Sequence, residues 1–400
     1  MDLKSGFPYW LIKNGLPFSY ERLTHNLKID VVVLGGGISG ALVAWHLASA
    51  GVSCAVVDRR TIGMGSTCAS TALLQYEIDK PLCELRNIVG IQTAVNAYRL
   101  CREAIYELFK IGSSIGFDIE LKKSLYFAAH KKDITFLKQE FALRKEYGFE
   151  LEYLDGPGVR KQYEFDAYAA LLSNDGGQVD AYMFSHNLLQ DSMKKGCLVY
   201  DRTEISSIRH NKNDVQLVTA EKQVISAKKI VYATGYESVK LIRKKVVRLL
   251  STFATINEQL NEDEQGLPDD IVIWNTADPY LYLRSTEDKR IIVGGRDENF
   301  FDPVKRDKLL HRKSRQLAGD FHGIFPGIRF KPEFSWAGTF GATRDGLPFI
   351  GKYPALPNSF FALGFGGNGI TFSQIAAKVI TSLVLGKKDP TGNIFAFERV

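Results

Sequence analysis

Three glycines, Gly35, Gly37 and Gly40 in the run VVVLGGGISGALVA, stand at GxGxxG spacing. In a phosphate-binding turn the first such glycine permits a tight bend, the second lets the backbone approach a pyrophosphate, and the third lets a helix pack closely. A helix beginning at Ile38 and Ser39 aims its unpaired N–H groups and the positive end of its dipole at the phosphates. Asp58 follows a second apolar run, where a carboxylate accepts hydrogen bonds from ribose hydroxyls and repels a 2′-phosphate. Arg59 comes next and keeps the opposite reading open, because a guanidinium there accommodates a 2′-phosphate.

Three later segments bear on whether the dinucleotide is a flavin or a nicotinamide. The stretch RTIGMGSTCASTALLQ gathers Gly65, Ser66, Thr67, Ser70 and Thr71 ahead of Ala72 and Leu73. Such small and hydroxyl side chains suit a loop that wraps pyrophosphate and edges a flavin; alone, the stretch reads equally well as a capped Ser/Thr turn. IVYATGYES ends a strand in Ala233, Thr234 and Gly235, small enough to admit a dinucleotide or simply to leave the sheet. FGGNGIT places Gly366, Gly367, Asn368 and Gly369 before a helix starting near Ile370 and Thr371. It is either a plain glycine turn or a second helix N-terminus, whose N–H groups stabilise negative charge on a reduced flavin. Together the three favour FAD.

The elements that must position these groups follow from periodicity. Residues 31–34 and 54–57 are short buried strands, joined by a helix over 38–50 that Gly51 ends. Strand, helix and strand in that order make a right-handed βαβ unit, a parallel sheet and an α/β class. Charged helical stretches over 94–110 and 132–147 mark an insertion, and a βα pattern returns near residue 179. Alternation as in YLYLRS and RIIVGG dominates 251–337, and a last helix runs over 371–385. The organisation predicted is an N-terminal extension (1–28), a discontinuous dinucleotide domain (29–88, 172–250 and 338–400), and an α+β domain with a mainly antiparallel sheet (89–171 and 251–337).

Composition sets outer bounds. A chain of 400 residues with 45% apolar positions can build two cores. Its 51 basic and 45 acidic residues are scattered, without the stripe that nucleic acid selects, so no nucleic-acid partner is expected. Five cysteines without CxxC or metal-type spacing suit reduced thiols, no metal, and a cytoplasmic location. The first thirty residues lack the apolar core of a signal peptide, and the run over 29–52 is broken by its glycines and His46, so no membrane span is expected.

GGGISG, Asp58, GSTCAST, Ile205 in DRTEISSI, ATG, DGLPFIG and GFGGNGIT, in this order, resemble the FAD-dependent D-amino acid oxidase superfamily over residues 30–385. That superfamily includes glycine oxidase, sarcosine oxidase and gamma-glutamylputrescine oxidase. The resemblance implies a flavin between the two domains, Ile205 against adenine, and oxidation of a C–N bond in a small amine or amino acid. Hydride would pass from the carbon beside a neutral amine to flavin N5, the imine hydrolysing afterwards. O2, a quinone or a protein would then take the electrons. No Cys or His falls where members attach flavin covalently, which implies dissociable FAD.

Two departures bear on substrate. Glycine oxidase-like members hold a carboxylate with an arginine three residues before the threonine of T-x-D-G-x-P; counted from Thr343, that position is Phe340. A second arginine, in the last glycine loop, is replaced by Gly367. Arg344 or Arg284 remain to take over, although Arg284 reads equally as a strand residue paired across the sheet. Tyr280, Tyr282, Trp336 and Phe340 form either an amine cage or ordinary core. The WAGTFG to LPFIG stretch is nearer the gamma-glutamylputrescine oxidase branch, so an amine without an adjacent carboxylate is expected. No catalytic residue emerges, since none of the seven histidines lies in a motif. Two other readings are an NAD(P)-dependent dehydrogenase using the first motif alone, and a flavoprotein acting in RNA modification or ligand binding without turnover.

Overall fold

The structure is a computed structural model that describes residues 1–242, 245–363 and 366–399. Two sheets dominate. One has eight strands, in the order Phe349–Lys352, Ser359–Leu363, Val224–Tyr232, Leu27–Leu34, Cys54–Val57 and Leu198–Tyr200. Its other two strands, Ile205–His210 and Val215–Thr219, form a hairpin on Val224–Tyr232. Pairing is parallel from Ser359–Leu363 through to Leu198–Tyr200. The helix Ile38–Ser49 crosses between Leu27–Leu34 and Cys54–Val57, as the βαβ reading expects. It is buried along most of its length because Ala181–Lys194 and Gly369–Val384 pack against it, which explains its apolar side chains on every face.

The second sheet has ten strands and is antiparallel except where Ile271–Asn275 pairs parallel with Glu120–Phe127. Several features depart from the sequence expectation, among them Leu73–Gln75 and the end of Pro332–Ala342, which belong to this sheet although residues 29–88 and 338–400 are expected in the other domain. Ala169–Gln178 pairs with Glu120–Phe127 and Leu151–Asp155, so the second sheet keeps the chain to Gln178, past the boundary expected at residue 172. Its SNDGG run looks like a turn, yet Gly176 and Gly177 sit within the strand, where a Cβ would come within 3 Å of the carbonyls of Lys122 and Glu120. Residues 1–28 are not a separate extension, since Lys4–Gly6 pairs with Pro332–Ala342 at the edge of this sheet. Finally, a helix, Pro303–Ile324, interrupts 251–337. Asp302 caps it by accepting from the Lys305 N–H at 3.0 Å, and it buries few apolar side chains, chiefly Leu317 and Phe321.

Among the described residues no helix is long and apolar enough to cross a membrane. All five cysteines are free, and every one except Cys83 is buried.

Candidate functional site

A cavity of about 390 Å³ is walled by residues from both sheets. Its first wall is the glycine turn. Gly35 has φ +107°, and a Cβ there would collide with the carbonyl of Ala233; one on Gly40 would collide with the carbonyl of Gly35. Gly35, Gly37, Ile38 and Ser39 line the cavity, whereas Gly40 stands behind it and sets the depth of the helix. Asp58 spans the turn: its carboxylate accepts from the Gly36 N–H at 2.7 Å and from the Arg60 N–H at 2.8 Å. Burial pushes that carboxyl above the usual range against the pull of those two N–H groups.

The loop from Gly65 to Leu73 forms the facing wall, with Gly65, Ser66, Thr67, Thr71, Ala72 and Leu73 all lining the cavity. Thr67 Oγ1 accepts from the Ile38 N–H at 3.0 Å, fastening loop to helix. Ala72 has φ +58°, a left-handed conformation that a non-glycine residue adopts only when its surroundings impose it. The constraint comes from Arg284, whose Nη1 donates to the carbonyls of Thr71, Ala72 and Val179 at 3.1–3.2 Å. Trp10 Nε1 donates to the Ser70 carbonyl at 2.7 Å and Trp336 Nε1 to that of Ala69 at 2.8 Å. Arg284 is buried, which lowers its pKa to about 10, and it stacks 5.3 Å from the Trp10 ring. It is thus neither a substrate contact nor a surface residue; Trp336 likewise serves the loop and does not line the cavity.

Ile205, Ala233, Thr234 and Gly235 also line the cavity, as do Arg59 and Arg60. Both arginines pair with Glu237, at 2.6 and 3.1 Å, so the guanidinium that a 2′-phosphate would need is already engaged.

The last wall is the glycine turn ahead of Gly369–Val384. Gly366, Gly367, Gly369 and Ile370 line the cavity. Gly364 and Phe365, which open the GFGGNGIT motif, lie outside the described residues. Asn368 and Thr371 stand behind the wall as braces: Asn368 Nδ2 donates to the carbonyls of Gln75 and Glu77, and Thr371 Oγ1 to that of Asn368. Beside this turn stand Phe340, Tyr236, Tyr280, Tyr282, Asp297 and Thr252, all lining the cavity. Asp79 accepts from the Gly367 N–H at 2.8 Å and the Tyr280 hydroxyl at 3.1 Å. Arg344 is exposed and does not line the cavity. Neither Asp79 nor Asp297 stands in a recognisable motif, and the run LLQYEIDK around the first is half polar and gives no signal for it.

A long cavity lined by two glycine turns and a hydroxyl-rich loop fits a flavin dinucleotide, and no lining position carries a Cys or His among the described residues. A helix N-terminus opens onto it at Gly37, with the Ile38 N–H taken by Thr67 and no cap from the N-cap residue itself. Residues 30–383 match the family described as DAO, FAD dependent oxidoreductase. The chain is 25% identical over 381 residues to gamma-glutamylputrescine oxidoreductase of Escherichia coli (strain K12), covering 92% of this chain and 86% of that protein. It is 26% identical over 385 residues to glycine oxidase of Bacillus licheniformis, covering 93% and 97%. The L-proline dehydrogenase structure from P. horikoshii shares the fold, with a TM-score of 0.78 at 20% identity over 94% of this chain and 99% of that one. With both glycine turns inside the matched span, the chain belongs to the DAO family of FAD-dependent oxidoreductases.

Proposed function

We propose that this protein oxidises the C–N bond of a small amine that carries no carboxylate beside the reacting carbon. The family and relatives named gamma-glutamylputrescine oxidoreductase and glycine oxidase support the reaction class. The observation that carries the substrate class is the charge around the cavity. Among the described residues its arginines are Arg59 and Arg60, both held by Glu237, while Asp297 lines it and Asp79 abuts its glycine turn. An α-carboxylate entering that end would meet two acids and phenolic oxygens instead of a bidentate guanidinium. An amine meets π faces and acceptors.

A bound FAD supplies the hydride acceptor, its N5. The chain's own residues would bind and orient it: the Gly35 to Ser39 turn and Thr67 would take the pyrophosphate, Asp58 the ribose, and Ile205 the adenine. The loop carrying Ala72 and the turn carrying Gly367 edge the ring system. Phe340 and the tyrosines restrict water at the reacting carbon. FAD is held without a covalent bond, so acid precipitation should leave it in the supernatant.

Anaerobic titration of the purified yellow protein tests the substrate class. Primary or secondary amines should bleach the oxidised flavin band, whereas glycine, sarcosine and D-amino acids should leave it unchanged at equal concentration. Bleaching by α-amino acids alone would defeat the proposal, as would a preparation that takes up no FAD.

A further inference from the structure

The two acids at this end of the site differ in one respect. Asp79 has donors for both carboxylate oxygens, the Gly367 N–H and the Tyr280 hydroxyl. The Oδ1 of Asp297 is buried and has no hydrogen-bond partner among the described residues. Its side chain leaves the strand Ile291–Glu298 just after Gly295 (φ +140°) and Arg296 (φ +57°), and it lines the cavity. The Thr252 hydroxyl serves its carboxyl group from one side, the charged groups facing it are Asp79, Asp278 and Lys313, and the phenols of Tyr236, Tyr280 and Tyr282 lie around it. Lys313 is already committed, donating to the Arg296 carbonyl at 2.9 Å and pairing with Glu298 at 2.6 Å. Arg296 itself turns to Asp320. No described cation of this chain pairs with Asp297, and a buried carboxylate oxygen without a donor is costly to leave in place.

We infer that the substrate is a diamine or longer polyamine, and that Asp297 holds the ammonium that does not react. This rests on the amine reading above and specifies it. The reacting nitrogen must present its lone pair while the adjacent carbon loses hydride, and a carboxylate in contact with it would hold it as an ammonium ion. Asp297 is therefore badly suited to the reacting nitrogen and well suited to a second one. Two carboxylates in one site also repel each other, and a monocation leaves one of them uncompensated. Burial, reinforced by the charge of Asp79, pushes the Asp297 carboxyl up to about 6, a cost that a second ammonium relieves. Tyr280 and Tyr282, packed against each other with ring centroids 5.7 Å apart, offer one apolar wall against which the methylene chain between the two nitrogens can lie.

The test uses the FAD-loaded protein under anaerobic conditions. α,ω-Diamines of three to six carbons are compared with amino alcohols of equal length, in which a hydroxyl replaces the second ammonium. The rate of flavin bleaching divided by the apparent Kd should favour the best diamine by about 100-fold, as for a buried charge-assisted hydrogen bond. Asp297→Asn should remove most of that preference, the diamines losing far more than the amino alcohols. Equal bleaching by both series in the unaltered protein overturns the inference and leaves the amine reading standing, whereas bleaching by α-amino acids alone defeats both. A variant that loses both series equally also overturns it, since that marks a structural role. If Asp297→Asn fails to retain FAD, Asp297→Glu keeps the charge on a longer arm and should shift the preference to a shorter diamine; an unshifted preference counts against the inference.

Discussion

The two ends of the cavity are built from different materials. At the end formed by the first glycine turn the walls are chiefly backbone, a glycine turn and a helix terminus, braced by the Asp58 carboxylate, whose oxygens accept from N–H groups two and twenty-two residues away. At the other end they are made by side chains, Asp297 and Tyr282 from neighbouring strands, Phe340 from another, and Asp79 from a loop, with one carboxylate oxygen lacking a donor. A backbone-built site is rigid and intolerant of added bulk. A side-chain-built site leaves room to retune specificity, and it stores unfavourable electrostatics that a ligand relieves.

The largest expected effect breaks the first end. Gly40→Val drives a branched side chain into the Gly35 carbonyl, and the helix must lift away. Loss of more than about 4 kcal/mol and of nearly all bound FAD is expected, read as the ratio of 450 to 280 nm absorbance on the order of zero. If this variant keeps stoichiometric FAD, the contrast between the two ends fails.

Arg284→Met comes next. It strips the donor from three carbonyls that hold Ala72 in its left-handed conformation, costing about 2 to 3 kcal/mol and weakening FAD binding by roughly 10- to 100-fold. Discrimination between amines and amino acids should not change. A shift in that discrimination, with FAD affinity intact, would return Arg284 to the substrate.

Asp297→Asn sharpens the contrast through pH. Because the folded-state pKa is raised, from 3.8 to about 6, the stability this group contributes is full below the lower value and is lost as pH rises through the higher one. In substrate-free holoenzyme the Asn variant should therefore gain on the order of 1 to 3 kcal/mol at pH near 7.5 relative to its standing at pH near 4. Thermal melts at both pH values measure the difference; a gain that is flat with pH would mean that the carboxyl is not perturbed. The smallest effect belongs to Arg344→Ala, which should leave FAD content, amine turnover and amino-acid rejection within about twofold, as expected of an exposed side chain away from the cavity.

Legibility in the sequence follows the same division. The glycine turn, the hydroxyl-rich loop and the last glycine turn announce themselves because backbone sites demand glycine and small residues at fixed local spacing. The βαβ unit was legible for a related reason: buried strands and a buried helix leave apolar runs with sharp ends. Stretches the sequence did not announce are those where local composition serves a distant partner. SNDGG is a turn by composition, yet it is strand because neighbouring carbonyls approach too closely for side chains. The helix Pro303–Ile324 is mostly charged and shows only a thin apolar stripe. Arg284 and Trp336, read from the sequence as a carboxylate partner and a member of an amine cage, instead direct their polar atoms to carbonyls of the 65–73 loop and do not line the cavity.

What the sequence by itself determined is the α/β class and the dinucleotide turn, which depend on neighbours within about forty residues along the chain, and the FAD family, whose short local motifs recur in order from the first glycine turn to the last. Tertiary structure alone decided which charged groups meet at the end of the cavity beside Gly367. Asp79, Tyr280 and Gly367 are far apart in the chain and come within hydrogen-bond distance only through folding, and the same folding spends Lys313 on Glu298 and Arg284 on backbone. Whether a buried carboxylate is left with a donor depends on where every neighbouring cation has already gone, and that is a property of the packed whole.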